Sequence, residues 1–317
     1  MSALIDEAKK VSGLTLGLTS IGYDGEDFDN VTGLPKPRIN VWPGNIVAIA
    51  EQCKRFGSAI LETIKETDIR TSMGKIVICR VIRAGKVVLS GANKSSELRL
   101  VLDLLNKAAD LIFVDGALNR IAPMVEADCL ILVTGAARHT EIPHLALESL
   151  CMVDILSTPE LKERGRVETV GSIFNQAGYR SFVEKLFAVD SVRINGVIGE
   201  KFLKELNSLS GELAGKRLIF EDPIKLFLTG EAVAVRKALK ELSFASVDIG
   251  VKKAVKLLAM TVNPYYPKYC QGRAGYEEAY IDAEKLLEGV GGSIKIPCYD
   301  VVRHGAQDIF KMILTCQ

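Results

Sequence analysis

Short, wholly apolar runs alternate with stretches of helical spacing along the chain, and this alternation sets the expected elements. Ala3-Leu4-Ile5 through Ala8 and Val11 repeat apolar residues at helical intervals and stop at Gly13, so a helix comes first. Leu14 to Ser20 follows as a buried strand. Asp24 to Val41 is rich in Gly, Asp and Pro and reads as a loop over the sheet edge, where ligands are commonly held. Lys75 to Ile82 and Val87 to Ser90 read as strands separated by a hairpin turn at Ala84-Gly85-Lys86. Ser95 or Ser96 then caps a helix whose Leu98, Val101, Leu102 and Leu105 form one apolar face down to Ala109. Asp110 to Asp115 and Asp128 to Val133 are two further buried strands, followed by a helix from His139 to Val153.

The second half is less regular. Val192 to Val197, Arg217 to Phe220 and Ile224 to Leu228 read as short strands, and Ala232 to Leu242 as a helix. Lys256 to Val262 is a buried strand, Tyr276 to Leu287 a helix, Ile296 to Val302 a strand and Gln307 to Leu314 a helix. The expectation is that this last βαβ unit rejoins the sheet of the first half. Apolar strands of five or six residues alternating with helices imply an α/β fold with a doubly wound, mostly parallel sheet. Residues 1–154 with 251–317 are expected to form the core, and 155–250 an inserted or second smaller α/β lobe. The sequence shows no fixed-period repeat and no low-complexity tract.

Composition narrows the function classes. The 317 residues carry 40 Lys and Arg against 39 Asp and Glu, a formal charge of +1, so no long-range field gathers nucleic acid or an anionic membrane. No apolar stretch approaches the roughly 18 residues of a membrane span. The start, Met1-Ser2-Ala3-Leu4-Ile5-Asp6-Glu7, has acidic residues where a signal peptide has basic ones. The seven cysteines include no C-x-x-C pair, and Cys79 and Cys129 lie in apolar runs, as in a reduced compartment. A cytoplasmic protein with neither nucleic acid nor membrane as partner is expected.

In open α/β sheets the ligand crevice lies outside the carboxyl ends of the strands, so acidic residues there are the informative ones. After the first strand comes Ile21-Gly22-Tyr23-Asp24-Gly25-Glu26-Asp27, in which Asp24 and Glu26 could hold Mg²⁺ directly or through water. Leu111-Ile112-Phe113-Val114-Asp115-Gly116 has the form of a Walker B strand, with Asp115 placed to position Mg²⁺ beside a nucleotide phosphate. For Asp24 and Asp115 alike, turn capping is an equal alternative, because Asp-Gly is a common turn pair. Thr261-Val262-Asn263-Pro264 puts Asn263 where some P-loop proteins read a base edge, although Asn-Pro more often marks a plain turn. Ser90 to Ser96 offers free N–H groups and Lys94 to an anion, without the spacing G-x-x-x-x-G-K-[ST], and helix capping explains it as well. His139 and His144 stand five apart and mark no zinc site. His304 follows Asp300 by four, which misses the D-x-H-x-x-G spacing of cobalamin-binding domains. There is no G-x-S-x-G elbow and no Cys with a His near it in sequence. Tyr265, Tyr266 and Tyr269 form either a contact surface or loop packing.

Taken together, Gly17-Leu18-Thr19-Ser20-Ile21-Gly22, Asp24-Gly25-Glu26, Pro35-Lys36-Pro37-Arg38-Ile39, Asp115-Gly116-Ala117 and Thr261-Val262-Asn263-Pro264 resemble the smaller, P-loop-type subunit of the lysine 5,6-aminomutase reactivase. The likeness runs in order over nearly the whole chain and is densest in the first forty residues. It implies a P-loop NTPase-like core and a partner, a larger MutS-related ATPase subunit. Together the two would release damaged cofactor from an adenosylcobalamin-dependent aminomutase of amino-acid fermentation. If a nucleotide binds, the expected ligand is Mg-ATP, with Asp24, Glu26 and Asp115 around the metal and Asn263, Thr261, Gly116 and Lys94 as nucleotide contacts. Members of that family begin with a strand and a Gly-Lys-Thr phosphate loop ahead of the helix that corresponds here to Ser2 through Lys10. Without that cradle the carboxylates have little grip on a triphosphate, so nucleotide binding is expected to be weak or lost. Two readings fit: a start assigned too late, which also accounts for a missing central strand, or a paralogue that kept only a binding surface. The competing functions are an ATP-dependent small-molecule enzyme of the dethiobiotin-synthetase kind and a non-catalytic metabolite-binding protein.

Overall fold

The computed structural model describes residues 1–22, 38–116, 121–270 and 275–316. The chain divides into two compact units, one of Met1–Ala127, Tyr266–Ala279 and Val301–Gln317, the other of Asp128–Tyr265 and Tyr280–Asp300.

In the first unit, helix α1 (Ser2–Lys9) buries Ile5 and Ala8. Strand β1 (Leu16–Ser20) is buried at every residue, as its apolar run requires. β2 (Ile39–Val41) precedes β3 (Ile46–Ala50), which runs parallel to β1. β4 (Ile60–Thr71) and β5 (Gly74–Arg83) form a long antiparallel hairpin, and β5 also pairs antiparallel with β3. β6 (Gly85–Val87) pairs with β2. The expected hairpin at Ala84-Gly85-Lys86 is therefore corrected: β5 turns back on β4, and the segment after Gly85 crosses to another strand. Helix α2 (Ser95–Leu105) buries Leu98, Val101 and Leu105 and leads to β7 (Leu111–Asp115), parallel to β1. The sheet order is β4-β5-β3-β1-β7.

The two edges of this sheet differ in kind. β4 carries Glu62, Lys65, Glu66, Asp68 and Arg70 and breaks register with β5 at three places, the usual defences of an exposed edge. β7 has neither charge nor irregularity over Leu111 to Val114. The Asp115 carbonyl accepts from Ile21 N–H at 2.8 Å, so the alternate residues Ile112 and Val114 turn their backbone groups away from β1.

The second unit opens with β8 (Leu130–Gly135) and α3 (Ile142–Leu156). β9 (Val167–Val170), α4 (Gln176–Ala188), β10 (Ser191–Ile194), α5 (Glu200–Leu206), β11 (Arg217–Phe220), α6 (Pro223–Phe227), α7 (Ala232–Phe244) and β12 (Asp248–Val251) follow. The four strands are parallel and lie in sequence order. Right-handed crossovers that all step the same way put α4, α5 and α7 on one face. There Phe182, Leu186, Leu203, Leu206, Val235 and Leu242 meet Val192, Ile194, Leu218 and Phe220. An irregular segment before β9 makes polar contacts with the strands instead. Leu161 N–H donates to Val251 O (2.9 Å), Arg217 to Lys162 O (2.8 Å) and Arg164 N–H to Ser191 Oγ (2.9 Å), while Glu163 pairs with Arg193.

β13 (Leu257–Asn263) runs parallel to β8. A ribbon of β14 (Tyr265–Cys270) and β15 (Gly275–Tyr280), which apart from Tyr265 and Tyr280 belongs to the first unit, follows, and then α8 (Ala283–Gly291) and β16 (Cys298–Tyr299), which is parallel to β13. The last βαβ thus joins β8, in a sheet of order β16-β13-β8 separate from that of β1. α9 (Val301–His304) and α10 (Gln307–Leu314) return to the first unit, where α10 packs on α1.

Three expected elements change type in whole or in part, and of the strand expected over Ile296 to Val302 only Cys298–Tyr299 forms, with Val301 and Val302 in α9. Ile224 to Leu228 falls largely in helix α6, because the Asp222 carboxylate accepts from Lys225 N–H at 2.9 Å and Pro223 fills the first helical position. Tyr276 to Leu287 is part strand and part helix. Asp282 separates the two, accepting from Glu284 and Lys285 N–H at 3.1 and 3.0 Å and so starting α8 only at Ala283.

Candidate functional site

The carboxyl end of the first unit's sheet gathers several of the residues singled out in the sequence. β1 and β7 are in register with Ser20 opposite Asp115, so the strand-end acid stands next to the Ile21-Gly22 turn. Segment 90–92 is laced to that turn: Gly22 N–H donates to Ala92 O and Gly91 N–H to Gly22 O, both at 3.0 Å. Ala50 N–H, at the end of β3, donates to Ser90 O at 2.9 Å. The Ser20 hydroxyl bonds the Gly22 carbonyl and the Thr19 hydroxyl the Ala48 carbonyl, each at 3.0 Å. Gly91 is required here, since a Cβ would collide with the carbonyl oxygen of Ser20. At Gly116 a Cβ would meet only the terminal methyl of Met124 closely.

Lys94 is the N-cap residue of α2 and makes no side-chain cap bond, which corrects the assignment of the cap to Ser95 or Ser96. The Ser95 hydroxyl reaches the Ala122 carbonyl at 3.4 Å instead. The Lys94 ammonium is 75% exposed and lies 3.3 Å from Glu97, a helix-surface pair of small energetic weight. Asp24 and Glu26 lie outside the described residues.

Thr261 and Asn263 belong to the second unit. Thr261 is buried near the end of β13. Asn263 is exposed, and its Oδ1 accepts from Tyr265 N–H at 3.0 Å, a local turn bond that engages the side-chain carbonyl. Thus Asp115, Gly116 and Lys94 lie in one unit and Thr261 and Asn263 in the other. Among the described residues no group of three or more His, Cys, Asp or Glu is placed to hold a metal ion. No described helix is long and apolar enough to cross a membrane.

The sequence reading missed a polar cluster at the carboxyl end of β8. Arg138 grips Glu148 of α3 with two nitrogens, and the carboxylate is 9% exposed. The rings of His139 and His144 stack with centroids 4.2 Å apart, and His139 Nδ1 accepts from Glu141 N–H at 3.0 Å. Nothing local announces the ten-residue Arg138–Glu148 separation, because one residue lies in a loop and the other on a helix. The hydroxyls of Thr134 and Ser149 are buried and have no partner among the described residues.

The buried cysteines Cys53, Cys79 and Cys151 and the half-buried Cys298 are inert in character. Desolvation pushes the thiols of Cys53, Cys79 and Cys151 up, and that of Cys298 up to about 11, the reverse of an activated nucleophile. Comparison with family models, curated proteins and solved structures finds no match to this chain.

Proposed function

We propose that this protein is a cytosolic accessory subunit with a P-loop NTPase-like core. It works with a larger, MutS-related ATPase to restore a cobalamin-dependent enzyme of the lysine 5,6-aminomutase type. One observation supports this reading above the others: Gly17 to Gly22 and Asp115-Gly116, two phrases of the family resemblance, end side by side at the carboxyl edge of one parallel sheet. That is where an α/β sheet presents acids to a metal-bound phosphate. In this reading Asp115 holds Mg²⁺ with Asp24 and Glu26, and Lys94 and Gly116 flank the phosphates.

The described residues fit a metal-nucleotide only in part. Asp115 and Lys94 supply one carboxylate and one ammonium, and the sequence contains no G-x-x-x-x-G-K-[ST] segment to ring a triphosphate with N–H groups. The test mixes the purified chain, the MutS-related ATPase subunit, inactivated aminomutase, adenosylcobalamin and ATP. Aminomutase turnover should return only when both proteins are present. Recovery with the ATPase alone, or ATP turnover by this chain alone with a small acid or amine, would overturn the proposal.

A further inference from the structure

We draw no further inference here: the strongest candidate, the uncharged edge that β7 leaves open on the five-stranded sheet of the first unit, carries nothing because nothing in the structure shows what covers it.

Discussion

Gly91 and Gly116 both sit at the candidate site, yet substitution should affect them differently. An alanine methyl at 91 meets backbone, the Ser20 carbonyl oxygen at the end of a fully buried strand, which cannot move without disturbing the β1 ladder. At 116 it meets the end of a methionine side chain, which has other rotamers. Gly91→Ala should therefore cost about 1–3 kcal/mol, in the range of overpacked cores, and Gly116→Ala less than about 1 kcal/mol. Urea unfolding of the two variants checks the order, and equal losses would remove the distinction. The Thr134 and Ser149 hydroxyls present the opposite case. A buried hydroxyl without a partner carries a desolvation penalty of roughly 1–3 kcal/mol, so Thr134→Val and Ser149→Ala should leave stability unchanged or raise it. A clear drop in melting temperature for either would mean that its hydroxyl is satisfied in solution. Cys298 gives a pH signature. Folding raises its thiol from the ordinary 9.0 to about 11 by burial, so the native state favours the protonated form more than the unfolded chain does. That contribution is whole below about pH 9 and is lost as the pH climbs towards 11. The urea midpoint of the wild type should fall more steeply over this window than that of Cys298→Ala, and parallel profiles would refute the assignment.

Among the elements, α3 is the most exposed to a single-residue test. Its Glu148 is nearly buried and answered by Arg138, whose own side chain is 44% exposed. Removing the arginine strands a desolvated carboxylate, whereas Glu148→Gln keeps an acceptor for the guanidinium. Arg138→Ala should thus cost about 1–3 kcal/mol, less than a fully buried pair because water reaches the guanidinium, and Glu148→Gln should cost less. Chemical denaturation of both variants decides it; a larger loss for Glu148→Gln would contradict the account. Elements bounded by strong local signals were the ones legible in the sequence. β1 and β7 stand out as apolar runs ending in a turn, and α10 spans Gln307–Leu314 as the helical spacing implies. β4 was invisible because an edge strand with charges along its length has no apolar face to betray it. α6 was misread because Ile224-Lys225-Leu226 alternates like a strand over a helix too short to show a period; the Asp222-Pro223 start signal outweighs it. The same limit applied to the site. The strand-end rule found Asp115 beside β1, but it could not foresee that the side chain of Asn263 would be engaged by Tyr265 N–H or that Lys94 would lie by Glu97.

At the scale of the whole molecule, a formal charge of +1 from 40 basic and 39 acidic residues leaves little field to steer a partner. Association with the proposed ATPase should then depend on shape and apolar contact, and its affinity should change less than about tenfold between 50 and 200 mM salt, unlike a phosphate-backbone binder. Among the described residues the candidate site offers a triphosphate one strand-end carboxylate, so in the proposed reading Mg-ATP should bind this chain weakly alone and more tightly once the partner is present. Titration calorimetry with and without the ATPase subunit measures both quantities. If Asp115 ligates Mg²⁺ as proposed, Asp115→Asn should lower the affinity of the complex for Mg-ATP about tenfold or more by removing a charge-assisted contact, while leaving the folded state intact at an exposed strand end. Unchanged affinity in that variant would return Asp115 to the role of a turn residue and remove the carboxylate on which the nucleotide reading depends.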